Sequence, residues 1–284
     1  KHAALAPLHN PPNLAGIRAA RRFFPAAPHV AVFDTAFHQT LPEHAYRYAI
    51  PTTLYKDHRL RRYGFHGTSH RYVAERAAGV LGKLTFTGVT CHLGNGSSAA
   101  AIQDGKSVDT TMGLTPLAGI PMGTRSGDLD PALVLHLQEH LGYTPERVDT
   151  LLNRESGLLG LSGVSNDVRE IEAAAAAGNA EAKLAIEVFC YQIAKAIGGF
   201  LSILTEADGV VFTGGIGENA QNVRKRIVEW LSGLNIQLDD RLNGAVSEQE
   251  RIITCTESGL VAMVIPTREE WVIARDTHQL IQGD

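Results

Sequence analysis

Cysteine is scarce in this 284-residue chain: Cys91, Cys190 and Cys255 are the whole complement. Three scattered thiols cannot form a disulfide framework, so the sequence predicts reduced cysteines in a cytoplasmic protein. Basic residues are not in excess: 26 Lys and Arg stand against 30 Asp and Glu, a net charge of −4. That excludes a broad nucleic-acid footprint and leaves any anionic ligand to a few local cations. No apolar stretch reads as long enough to cross a bilayer. The opening KHAALAPLHNPP holds no uninterrupted apolar core of signal-peptide type. Neither nucleic acid nor a membrane is therefore expected as a partner. There is no low-complexity tract and no obvious interdomain linker. What is present is 44% hydrophobic and 20% charged, ordinary globular composition. The length permits two domains, or one large one, around a substantial core.

Two glycine-rich turns carry most of the information, each following an apolar strand-like run. The first lies in GVTCHLGNGSSAAAI, Gly88 to Ile102, and the second in GVVFTGGIGEN, Gly209 to Asn219. Glycine admits positive φ and close approach of the backbone to a ligand. Successive amides in such turns form anion-binding concavities, and a helix N-terminus adds positive potential. Two of them in one chain point to a polyphosphate held between elements, and so to nucleotide-dependent phosphoryl transfer. Asn95-Gly96 is equally a strong hairpin signal, and Gly214 to Gly217 equally a tight strand-to-helix connection.

The surrounding pattern is mixed. A short helix is predicted at Asn13 to Phe24, and a strand at His29 to Phe37 containing the turn residue Asp34. A helix from Ser69 to Leu81 follows, with Ser69 as its N-cap, then a hairpin over Leu84 to Ser107. Thr111 to Asp130, with four Gly and two Pro, precludes a regular element. Pro131 to Leu141 has Pro at a favourable first-turn position. Ser156 to Asp167 reads as a Gly/Ser-rich loop. Helices follow from about Asn166 to Gly178 and from Ala180 to Leu204, the latter with apolar residues at helical spacing. Strand Gly209 to Phe212, helix Asn222 to Leu231, strand Val261 to Pro266 and a final helix complete the chain. Strands alternating with helices argue for an α/β fold.

Eight ordered segments resemble the acetate kinase family: HNPPN from His9, FDTAFHQTLP from Phe33, RRYGFHGTSH from Arg61, HLGNGSS from His92, SVDTTMGLTPLAG from Ser107, MGTRSGDLDP from Met122, TGGIGEN from Thr213 and PTREE from Pro266. The resemblance implies the actin-like, ribonuclease-H-like ATPase fold, two α/β domains around a nucleotide cleft. It implies reversible transfer of the ATP γ-phosphoryl group to acetate, giving ADP and acetyl phosphate. Propionate kinase is the alternative, and a nucleotide-binding or dimerisation module without turnover is another. The family's first Asn-x-Gly-Ser-Ser turn has no counterpart here, so the resemblance implies an incomplete first domain. Residues 1–36 would be its remainder, 37–266 the second, dimerising domain, and 267–284 a segment returning to the first. A homodimer is expected by resemblance alone.

Roles follow by position. Asp34, His66 and Arg125 match catalytic residues. Acetate is already ionised, so Asp34 suits Mg²⁺ or its waters better than a general-base role. Arg125 offers a planar fork for a carboxylate or phosphoryl group, and His66 a donor to equatorial phosphoryl oxygens. By itself Asp34 is equally a turn aspartate, and for Arg125 alone a solvated surface arginine is the commoner reading. His66 and His70 are four apart, but HGTSH lacks the glutamate of HExxH, which argues against zinc. His92, Gly94, Asn95, Gly96, Asp167, Val168, Arg169, Gly214, Gly215, Ile216, Gly217 and Asn219 match nucleotide-binding positions. Leu8, His9, Phe65 and Pro116, with Arg125, match the acyl substrate site. Glu269 matches the metal-linked glutamate; a one-residue slip would select Glu270.

Overall fold

The computed structural model describes residues 10–283. Its centre is a six-stranded sheet of order β3-β2-β1-β4-β6-β5, with β1 Gly88–Leu93, β2 Ser97–Gln103, β3 Lys106–Thr110, β4 Gly209–Thr213, β5 Arg251–Ile252 and β6 Val261–Val264. The predicted hairpin is β1 with β2, antiparallel in register from Gly88↔Ile102 to Leu93↔Ser97, and β3 extends it. β4 pairs parallel to β1 and to β6. Every residue of β4 is buried, as a strand covered on both faces requires. Successive side chains alternate between the two faces: Val210 and Phe212 join one core, Val211 the other.

The first core is closed by the helix Ala180–Leu201, whose Ala185, Phe189, Ile193 and Ile197 are fully buried. By length and composition this helix could cross a membrane, contrary to the expectation that no stretch could. Its apolar stripe is accounted for by packing on β1, β2 and the helices Val168–Ala176 and Gln221–Trp230. The second face carries the helices Gly67–Val80 and Glu269–Gln282, joined by Arg71–Asp276 and by Arg275 Nη1 donating to Glu75 Oε2 at 2.9 Å.

The structure departs from the sequence reading in five places. His29 to Phe37 is not a strand. It finds no neighbouring strand among the described residues, and Phe33 is 68% exposed. The helix expected from Ser69 begins at Gly67, with His66 at its cap and Ser69 buried inside. Within the loop expected from Ser156, Gly157–Ser162 is helical, and Gly214–Asn219 closes one helical turn directly after β4. Pro145–Arg154 is a further helix; Thr144 caps it by accepting from Arg147 N, and Pro145 occupies its first turn.

β4 and β6 approach so closely at Gly209 that a Cβ there would lie 1.8 Å from the Val261 carbonyl oxygen. We expect Gly209→Ala to force the strands apart and cost about 1–3 kcal/mol, read as a lowered urea midpoint at unchanged m-value; an unchanged midpoint would contradict the packing.

Candidate active site

Parallel strands β1, β4 and β6 all end at one edge of the sheet, where open α/β folds place their ligands. β1 and β4 are in register to His92↔Thr213, so the two glycine turns that follow are neighbours. Gly214 has φ +77°, and a Cβ on it would strike the Leu93 carbonyl oxygen at 2.7 Å. That contact locks the second turn onto the first. Gly214 and Gly217 are buried packing positions, Ile216 packs against the core, and Gly215 is the exposed member, with open space where its Cβ would be. Asn219 Nδ2 donates to the Gly215 carbonyl at 2.9 Å. Glu218 Oε1 accepts from Gly214 N at 2.9 Å and from Thr267 N at 3.1 Å, tying the second turn to the segment after β6.

The first turn is held by the irregular loop of Thr111 to Asp130. Gly123 N donates to the Asn95 carbonyl at 3.0 Å, and a Cβ on Gly123 would meet Asn95 Oδ1 at 2.1 Å. The helix Gly157–Ser162 clasps this loop from below: Leu158 N and Leu159 N donate to the carbonyls of Met122 and Gly123. Arg125 is thereby brought over the turn, its Nη1 donating to the Pro116 carbonyl at 3.0 Å. Desolvation lowers its pKa.

His66 enters from the other side. It holds φ 56°, a left-handed conformation that costs a non-glycine residue on the order of 1–3 kcal/mol. Asp34 sustains it: Oδ2 accepts from His66 N at 2.6 Å, and the Asp34 carbonyl accepts from Gly67 N at 2.8 Å. The His66 ring stacks on His92, centroids 4.3 Å apart. A methyl group built on Gly96 would lie 3.3 Å from His66 Nε2 and 3.6 Å from Arg125 Nη1. An imidazole and a guanidinium therefore flank the corner above Gly96, a setting suited to an anion.

Glu269 is half-buried; burial first, and then the Asp34 charge, raise its pKa. Glu270 is exposed. A half-buried carboxylate whose ionisation a second carboxylate disfavours suits a divalent cation. Among the described residues no cluster of three or more His, Cys, Asp or Glu forms a cage. Mg²⁺ keeps waters and takes one or two carboxylates plus phosphates, so Asp34 and Glu269 are the side chains here that could hold it.

Other predicted positions lie further out or inward. Asp167 caps the helix Val168–Ala176 and pairs with Arg169, which holds its carboxyl at about 2. Both connect to the first turn through Asn166, whose Nδ2 donates to Asn95 Oδ1 at 2.9 Å. The Val168 side chain is buried in the core, so only its backbone can face a ligand. Phe65 and Pro116 are half-buried, their carbonyls taken by His38 and Arg125. Leu8 and His9 lie outside the described residues.

The profile of the Acetokinase family matches residues 1–275. The chain belongs to the acetokinase family. Across 282 residues it is 54% identical to an acetate kinase of Methanosarcina acetivorans, covering 99% of this chain and 69% of that one. It is 51% identical to an acetate kinase of Pseudothermotoga lettingae, with 98% and 69% covered. Among solved structures, a Francisella tularensis propionate kinase superposes with a TM-score of 0.93 at 47% identity, over 97% of this chain and 70% of that one. Porphyromonas gingivalis acetate kinase gives 0.93 at 45% identity, over 99% and 71%. The fold is thus the mixed α/β fold of acetokinase-family structures, and the chain spans about 70% of these relatives.

Sequence reasoning did not single out the hydroxyls and carboxylate that hold this candidate site of the acetokinase-family chain. Ser69 Oγ meets His92 Nδ1 at 2.8 Å and Thr267 Oγ1 at 2.9 Å, and Ser98, Thr90 and Glu218 act likewise. Ser69 and His70 lie one helical turn past His66, a spacing that points them at the strands below. His38, His70 and His92 are desolvated and held neutral: His70 well below its usual range and His92 down to about 3, both chiefly by burial. Their folded pKa values lie below the unfolded one, so they destabilise the fold as pH drops below about 6.5. We expect the unfolding free energy to drop by about 2–4 kcal/mol between pH 7.5 and 5.5 from these groups; a flat urea-unfolding series across that interval would contradict their neutrality.

Proposed function

We propose that this acetokinase transfers the γ-phosphoryl group of ATP to acetate, reversibly and directly, giving acetyl phosphate and ADP. The observation that carries the reading is the corner over Gly96, flanked by His66 Nε2 and Arg125 Nη1 and backed by the two adjoining turns. Phosphoryl transfer asks for positioning and charge neutralisation rather than covalent help. Acetate arrives ionised, so no base is required. Arg125 grips the in-flight group or the carboxylate with its planar fork. His66 donates to an equatorial oxygen, where charge accumulates. Amides at Asn95, Gly96 and Gly215 lie along the phosphates, with Asp167 and Arg169 toward the nucleoside. Asp34 and Glu269 would hold Mg²⁺ or its waters, and the cation would neutralise phosphate charge when bound.

Phe65 and Pro116, with Leu8 and His9, would set the acyl pocket. The likeness to a propionate kinase structure keeps propionate as the second acceptor, since one methylene is worth only about 1–3 kcal/mol. We assign 37–266 to a second domain that dimerises, and 1–36 with 267–284 to the first.

Hydroxylamine trapping of acyl phosphate from ATP, Mg²⁺ and acetate tests the activity. Turnover by this chain removes the reading of a binding module. Turnover only after adding the relatives' remaining segment assigns this chain the nucleotide-facing part. No turnover in either form contradicts the proposal. In the form that turns over, we expect Arg125→Lys to lower kcat by about 10²–10³-fold while the dissociation constant for ATP changes by less than about 3-fold; equal losses in both would contradict its role. Glu269→Gln is expected to raise the Mg²⁺ concentration for half-maximal rate, with Glu270→Gln near wild type.

A further inference from the structure

We propose that a buried relay, Thr90 to His70 to Ser98 to His66, fixes the His66 ring in the tautomer whose Nε2 carries the proton and points it at the corner over Gly96. The inference rests on the reading of His66 given above. His70 and Ser98 are then positioning residues, acting through His66.

The geometry is a single file of polar atoms. Thr90 Oγ1 meets His70 Nδ1 at 2.8 Å; His70 Nε2 meets Ser98 Oγ at 2.8 Å; Ser98 Oγ meets His66 Nδ1 at 2.9 Å. Thr90, His70 and Ser98 are all fully buried. The titratable groups that face His70 are themselves imidazoles, His38, His66 and His92. Among the described residues the His70 ring pairs with hydroxyls and with no carboxylate, and burial keeps it neutral, with one N–H.

Counting donors sets the direction. A hydroxyl has one proton to give. Among the described residues the Thr90 side chain has His70 Nδ1 as its hydrogen-bond partner. Were Thr90 to accept there, its own proton would be left unpaired in the interior, which native structures avoid. Thr90 therefore donates to Nδ1. The neutral His70 must then carry its proton on Nε2 and donate to Ser98 Oγ. Ser98 has one remaining proton, and His66 Nδ1 is its other partner, so Ser98 donates to Nδ1. With Nδ1 accepting, the His66 ring bears its hydrogen on Nε2, the atom that faces Gly96 and lies near Arg125. Each link leaves the next a single choice. A threonine on the middle of β1 thereby determines which ring nitrogen is presented to the site.

The relay is tested with the full chain labelled with ¹⁵N-imidazole histidine, reading tautomers from long-range ¹H–¹⁵N spectra at pH 8. We expect His66 and His70 each to show a protonated Nε2 and an unprotonated Nδ1. Thr90→Val keeps the shape and removes the first donor; both rings are expected to become tautomer mixtures. Ser98→Ala interrupts the relay one step later and is expected to release His66; it serves also if Thr90→Val does not fold. A protonated His66 Nδ1 in the wild-type chain, or tautomers unchanged in both variants, overturns the relay. In the acyl phosphate assay, Thr90→Val is expected to lose about 10-fold in kcat, as supporting residues commonly do, with little change in KM for ATP. If the tautomers are as stated but His66→Ala transfers phosphoryl groups at the wild-type rate, the relay stands and the catalytic reading of His66 falls.

Discussion

The arrangement depends on the parallel pairing of β1 with β4. These strands lie far apart in sequence, yet their register runs to His92↔Thr213. That places the turn Gly94 to Gly96 beside the turn that opens at Gly214. The contact is close enough that only glycine fits at position 214. β6 joins the same edge and leads to Glu269 and to Thr267, whose amide Glu218 fastens to the second turn. Three strand ends, one helix start at Gly67 and one looped arginine converge without any of them being long. A slip of one residue between β1 and β4 would turn the two cores inside out and separate the turns.

Around that edge the protein spends stability on unusual groups. Arg125 is half-buried beside a backbone carbonyl rather than a carboxylate. His66 is held in the left-handed region by Asp34. Arg224 is fully buried and donates to neutral acceptors: the Gly217 and Glu218 carbonyls, and the side chain and carbonyl of Asn243. Desolvation lowers its pKa to about 10, so it remains a cation bracing the helical turn after β4. Three imidazoles are kept neutral nearby. Donors are thus fixed in place around the corner over Gly96, the kind of preorganisation that transition-state stabilisation requires.

Much of this was legible in sequence, for reasons that differ by element. The β1–β2 hairpin and β4 announce themselves by apolar runs ending in glycine. Pro131–Leu141 is bounded by Asp130 and Gly142, both at the positions that cap it. Local rules misjudged residues whose structure is decided from a distance. The stretch from His29 has strand composition but no strand beside it among the described residues. Gly157–Ser162 looks like a loop, yet it folds as a helix against the carbonyls of Met122 and Gly123. The site's motif residues stood out; the groups that orient them did not. Ser69, Ser98, Thr267 and Glu218 are ordinary residues until the sheet brings them to His92, His66 and Gly214.

The central claim is that phosphates lie along the two turns and reach the corner between His66 and Arg125. Amide and guanidinium ¹H–¹⁵N shifts on titration with Mg²⁺ and ATP test it most directly. The account predicts that Asn95, Gly96 and Gly215 amides and the Arg125 Nε–H move together and saturably, while the Trp230 indole, in the groove with Tyr191 and Lys195, stays still. Saturable shifts gathered at Trp230 with the two turns unmoved would contradict it.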